Sequence, residues 1–196
     1  VTDEDDLPIP LCVDLDGTLI LSDLLWEAQM QMLKRNPLSI VSMGRWVLRG
    51  RAALKRQTAL RVKLDATALA VHEGFLKFLH EEKARGRKLV LATASDASIV
   101  APVAAHFAVF DEVLASDGKR NLRGSTKAAV LTELYGPKGF DYAGNSHMDL
   151  AVWAAARKAI VVNATEALTA KAHALGNVSR VFPPERPGGF RVPWSY

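Results

Sequence analysis

Two carboxylates separated by one residue follow an apolar run near the start of the chain, in Leu11-Cys12-Val13-Asp14-Leu15-Asp16-Gly17-Thr18-Leu19. On a strand, positions i and i+2 share a face, so Asp14 and Asp16 are expected to approach one small volume where the strand ends. Two like charges that close repel unless a proton or a cation lies between them. Other apolar runs end in polar groups in the same way. Thr93 and Ser95 follow Leu89-Val90-Leu91-Ala92, Asn145 and Asp149 follow Tyr142-Ala143-Gly144, and Lys127 stands at a helix start. Asp14, Asp16, Asn145 and Asp149 make an oxygen-rich metal set without the Cys and His that zinc prefers, which suits Mg²⁺. The Thr93 hydroxyl and the Lys127 point charge suit a phosphoryl group, while Ser95 either assists Thr93 or caps the next helix. The chemistry open to such a set is phosphoryl transfer. Asp14 would attack phosphorus to give an aspartyl phosphate, and Asp16 would protonate the leaving oxygen and then deprotonate the hydrolytic water.

These residues need a scaffold that brings strand ends together. The pattern predicts strands over 9–15, 88–93, 111–115, 139–143, 159–163 and 180–182, near-continuously apolar as in a parallel sheet buried on both faces. Helices are predicted between them, over 67–86, 97–107, 125–135, 150–157 and 166–175, with a polar turn or hairpin over 116–124. Alternating strands and helices give an α/β fold with a parallel sheet, whose ligands sit beyond the carboxyl ends of the strands. Between the first two strands the period is helical throughout. Helices are expected from 23 to 35, 38 to 49 and 51 to 64, with Asp23 as the first cap and Trp26 and Trp46 in the interior of this small unit.

The 196 residues are 49% hydrophobic, enough for one core with an insertion. The single Cys12 excludes an internal disulfide and reads as a buried thiol. No apolar run reaches the ~18 residues of a membrane span. The net charge of +4 hides an asymmetry: residues 28–64 hold nine Lys and Arg and no acid, which leaves the remainder at −5. Such a block tolerates an anionic partner, whether a phosphorylated substrate, a membrane surface or nucleic acid. No nucleic-acid motif accompanies it, and none of that class is expected as a partner.

Asp14-Leu15-Asp16-Gly17-Thr18-Leu19 resembles motif I of the haloacid dehalogenase superfamily, Thr93 motif II, Lys127 motif III, and Gly144-Asn145-Ser146-His147-Met148-Asp149 motif IV. The resemblance implies a Rossmann-like three-layer core over 9–21 and 66–182, with a small helical C1-type cap over 22–65. It implies a Mg²⁺-dependent phosphatase in which Asp14 is the nucleophile, Asp16 the acid and base, and Lys127 the partner of the phosphoryl group. Mg²⁺ would be held by the Asp14 carboxylate, the Asp16 carbonyl and the side chain at 145. Asn145 departs from the Asp usual there and removes one charge from the metal site. Asp23-Leu24-Leu25-Trp26-Glu27, the Arg49–Arg56 stretch, Leu91-Ala92-Thr93-Ala94-Ser95-Asp96, Tyr142-Ala143-Gly144-Asn145-Ser146 and the Pro-rich tail are similar to those of domains fused ahead of UbiA-type prenyltransferases. This narrower resemblance implies that residues 183–196 are a linker to a membrane domain of a longer parent, with this domain on the cytoplasmic side. The substrate would then be a phosphorylated small molecule or a prenyl- or sugar-linked phosphate. The alternative is a non-catalytic docking domain of such an enzyme.

Overall fold

In the computed structural model, residues 9–48, 57–58, 65–116 and 121–185 are described. Six strands form one parallel sheet: β1 (Leu11–Val13), β2 (Leu89–Asp96), β3 (Glu112–Ser116), β4 (Asp141–Gly144), β5 (Ala159–Val162) and β6 (Val178–Phe182). Their order is β3-β2-β1-β4-β5-β6. The chain winds outward from β1 in one direction, then returns to β1's other edge and winds outward again. The crevice between the carboxyl ends of β1 and β4 is therefore the topological switch point, where such sheets bind ligands. The register aligns Val13 with Leu91 on one side and with Ala143 on the other, so the residues that follow these strands emerge together.

Alternate strand residues feed two cores. Leu11, Val13, Leu89 and Leu91 pack with Phe75, Phe78 and Leu79 of α3 (Glu73–Ala84) and Val100 and Val103 of α4 (Ala97–Phe107). Cys12, Val90 and Tyr142 face the opposite side, with Leu131 of α5 (Ser125–Tyr135), Trp153 of α6 (Leu150–Ala155) and Leu168 of α7 (Glu166–His173). Burial pushes the Cys12 thiol up to about 12, as befits a thiol used only for packing. The α/β parallel architecture is the one the sequence predicts.

Between β1 and β2 stand α1 (Leu24–Arg35) and α2 (Ser39–Leu48). Asp23 caps α1, accepting from the amides of Leu25 and Trp26. The expected third helix over 51–64 lies outside the described residues except for the helical pair Gln57 and Thr58. The helix expected from 67 begins only at Glu73. Val71 bridges to Ile20, and the His72 ring accepts from the Phe75 amide as a cap, so local pairing replaces the first turn. No second strand of a hairpin occurs among the described residues of 116–124. Beyond β6, Glu185 accepts from the amides of Glu73 and Gly74, fixing the start of the expected linker to the α3 N-terminus. Among the described residues no helix is long and apolar enough to cross a membrane.

Candidate active site

β1 stops at Val13, earlier than predicted, because the chain coils at once. The Leu15 carbonyl accepts from the amides of Thr18, Leu19 and Ile20 at 3.3, 3.1 and 3.1 Å. Gly17 takes φ +77° to make this coil, and a Cβ there would lie 2.1 Å from Asn145 Nδ2. Glycine is thus required twice, by conformation and by the close approach of the β4 loop. Asn163 Nδ2 holds the same coil from β5, donating to the Gly17 carbonyl at 2.8 Å.

The coil separates the two carboxylates. Both line one cavity of about 560 Å³, but they have different partners. Asp14 shares its face with Cys12 and meets Lys127, whose Nζ lies 2.7 Å from Oδ1. Its Oδ2 receives only a long contact of 3.5 Å from the Thr18 hydroxyl. Burial raises the Asp14 carboxyl to about 7 against the pull of Lys127, while the nearby charges of Asp149 and Asp16 add to the rise. Asp16 instead turns toward the insertion. Its Oδ1 accepts from the Leu24 amide at the α1 N-terminus at 2.8 Å, where an anion is favoured. Its Oδ2 accepts from Ser95 Oγ at 2.7 Å and from Thr93 Oγ1 at 3.4 Å. Both carboxylates therefore face one cavity, each with its own hydrogen-bond partners. Ser95 is joined to Asp16, and the next helix is capped by Asp96.

A chain of buried hydrogen bonds runs behind Asp14. Lys127 Nζ also donates to the Tyr142 hydroxyl at 2.8 Å, and that hydroxyl donates to Asp149 Oδ1 at 2.7 Å. Asp149 Oδ2 accepts from the amides of Asn145 and Ser146 at 3.1 and 2.8 Å and from Ser146 Oγ at 2.8 Å. Desolvation and the adjacent Asp149 keep the Tyr142 phenol protonated far into alkali. The Asp149 carboxylate fits this close because position 144 is glycine: a Cβ there would lie 2.7 Å from Asp149 Cγ. Both Asp149 oxygens are thus engaged within the protein, and its geometry is that of a group shaping the Asn145 loop.

Sequence reasoning overlooked Tyr142 as a polar participant. Its place two residues before the Gly144-Asn145 pair, on an apolar strand, reads as core until α5 brings Lys127 over that face. The cavity's outer wall was also misjudged. Trp26 is 57% exposed and lines the cavity with Leu25 and Gln29 from α1, and with Arg123 and Met148 from the loops opposite. His147 is exposed on the β4 loop.

A cation here would be held by oxygens, from the Asp14 carboxylate, the Asp16 carbonyl and the Asn145 side chain. That set fits a hard divalent ion. A desolvated carboxylate whose pKa burial has raised gains from such a charge nearby.

Comparison with known proteins bears on the fold and the family. The chain is 35% identical over 182 residues to an uncharacterized protein, y4nM, of Sinorhizobium fredii, spanning 92% of this chain and about a third (35%) of that protein. Among solved structures, a HAD family hydrolase from Salmonella enterica serovar Typhi superposes with a TM-score of 0.60 at 16% identity, over 85% of this chain and 67% of its own. A phosphoserine phosphatase in a phospho-aspartyl intermediate analogue superposes with a TM-score of 0.57 at 16% identity, over 90% and 94%. The family profile for haloacid dehalogenase-like hydrolases matches residues 11–153, a span that holds Asp14, Thr93, Lys127 and Asn145 together with the strands that position them. The chain belongs to the haloacid dehalogenase-like hydrolase family.

Proposed function

We propose that this domain is a Mg²⁺-dependent phosphomonoester phosphatase that works through an aspartyl phosphate on Asp14. The observation that carries the reading is the buried Asp14–Lys127 pair on the wall of an open cavity, with Asp14 Oδ2 almost uncommitted. In the first step Asp14 Oδ2 forms a bond to phosphorus as the ester oxygen leaves and takes a proton from Asp16. In the second, Asp16 takes a proton from water, whose oxygen attacks the same phosphorus. The acyl phosphate bond breaks, releasing phosphate and restoring the Asp14 carboxylate. Lys127 stands where it can pair with a phosphoryl oxygen while staying anchored by Tyr142. Thr93 and Ser95 hold the Asp16 carboxylate in reach of the cavity. Mg²⁺, bound by Asp14, the Asp16 carbonyl and Asn145, would neutralise charge on the phosphoryl oxygens. With Asn145 neutral, the site holds one negative charge fewer than an Asp would give, and Asn145→Asp is expected to lower the Mg²⁺ concentration needed for half-maximal activity. Asp149 acts in this scheme by fixing the Asn145 loop.

The cap over 22–65 supplies the leaving-group side of the cavity. Trp26 and Leu25 present apolar surface there, which suits a phosphate carried by a prenyl or sugar–prenyl chain better than a small polar ester. The share of the longer relative left uncovered leaves room for a further domain in a parent chain, which the resemblance assigns to a membrane prenyltransferase. Phosphate release from a panel of small and prenylated phosphomonoesters, with and without Mg²⁺, tests the reading. Turnover by the parent protein and none by Asp14→Asn supports it. No turnover on any ester by a folded, Mg²⁺-supplied protein refutes it in favour of a non-catalytic docking domain.

A further inference from the structure

One arc of the exposed surface of α2 carries no polar side chain, with exposed Arg45 and Ser42 standing beside it. At 100° per residue, Ile40, Val41, Gly44, Val47 and Leu48 fall in one arc about 120° wide. Ile40, Val41, Val47 and Leu48 are 62, 64, 56 and 89% exposed, and Leu38 just before the helix is 77% exposed. The opposite side is seated: Trp46 is buried, with Ser39 and Met43 half-buried. An ordinary surface helix puts polar side chains outward, and contiguous exposed apolar surface of this kind marks an interaction face. A groove of about 390 Å³ runs between α1 and α2, lined by Met32, Leu38 and Trp46 with Arg35 among them.

Charge selects the occupant. Exposed Lys34 and Arg35 end α1 and exposed Arg45 flanks the apolar arc, and the sequence from 28 to 48 holds no acid. A second copy of the chain would bring these three cations against their own kind, and like charges across an interface oppose pairing. Nucleic acid would satisfy the cations and leave the apolar arc in water. A bilayer with anionic headgroups satisfies both, with aliphatic side chains at the acyl boundary and Lys and Arg at the phosphates. We propose that α2 and the adjoining end of α1 form a docking face for an anionic phospholipid bilayer. The inference rests on this surface alone and does not depend on the phosphatase reading.

Flotation of the full 196-residue chain with vesicles tests it. The chain should float with equimolar phosphatidylcholine and phosphatidylglycerol, and not with phosphatidylcholine alone, and added salt should weaken the binding. Val47→Glu with Leu48→Glu, both exposed, should leave the thermal midpoint unchanged and reduce vesicle binding by about tenfold or more. Arg45→Glu should reduce it less, with the salt dependence shallower. Absence of flotation with the anionic vesicles overturns the proposal, as does binding that the double variant leaves intact. A dimer in solution that the double variant dissociates, without vesicle binding, assigns the face to a second copy and likewise overturns it.

Discussion

Removing the Tyr142 hydroxyl isolates the hydrogen-bond chain behind Asp14 from its packing. Tyr142→Phe keeps the ring in the core formed with Cys12, Leu131 and Trp153, so no cavity contributes. It deletes the bond from Lys127 Nζ at 2.8 Å and the bond to Asp149 Oδ1 at 2.7 Å. Lys127 and Asp149 are each 3% exposed, so water does not readily replace the lost partner. Each hydrogen bond to a charged group contributes about 1.5–3 kcal/mol net, and the groups left behind keep other partners, so a loss near 3 kcal/mol is the working figure. For a chain of this size that corresponds to a fall of about 6–12 °C in the thermal midpoint. Lys127, left with Asp14 as its side-chain hydrogen-bond partner, should also be less well placed, lowering kcat by about tenfold if it loses about 1.4 kcal/mol of transition-state stabilisation. The assay is urea and thermal unfolding of both proteins beside steady-state phosphate release. A midpoint within about 2 °C of the parent, less than 1 kcal/mol by the same scaling, would refute the account of a buried chain that depends on the hydroxyl.

At the opposite end of β4, the Asp141 carboxylate accepts from Arg157 Nε at 2.9 Å and Nη2 at 2.8 Å, from the Lys158 amide at 3.1 Å, and from Arg87. Burial would raise this carboxyl, and the hydrogen bonds of Arg157 and Arg87 outweigh it, leaving the group below the usual carboxylate range. A depressed folded value stabilises above the unfolded pKa and is lost as pH falls through the folded one. Asp141→Asn should therefore cost about 3–5 kcal/mol near neutrality, measured by urea unfolding, with the difference narrowing below about pH 4. Asp14 has the reverse sign, since burial raises its folded value to about 7 from the ordinary 3.8. Its contribution is present at low pH and lost as pH rises through 7, so Mg²⁺ should raise the thermal midpoint more at pH 8 than at pH 5, and Asp14→Asn should abolish that difference. Gly17→Ala strains a φ of +77° and drives Cβ into Asn145, so phosphate release should fall by about tenfold or more even where the protein remains folded.

The sheet was legible because five of its strands read as short apolar runs bounded by turn residues, and the helices between them by their period. The polar residues at the strand ends pointed to the switch point for the same reason. Detail failed where tertiary contacts override local pattern. The early end of β1 depends on Leu15 accepting three amides, which no periodicity shows. The late start of α3 depends on Val71 pairing with Ile20, fifty-one positions earlier in the chain. Tyr142 looked apolar because its polar role exists only once α5 is laid over β4. Trp26 was expected in the interior of the helical unit, yet it lines the cavity from an outward position on α1.

The central claim is a phosphoryl group carried on Asp14. Rapid acid quench of the protein during turnover of a radiolabelled phosphomonoester, followed by peptide mapping, tests it most directly. The account predicts acid-stable, alkali-labile label on the peptide that contains Asp14, absent from Asp14→Asn and retained longer when Asp16 is changed to Asn. Steady turnover with no label on that peptide, or label that persists in Asp14→Asn, would contradict it.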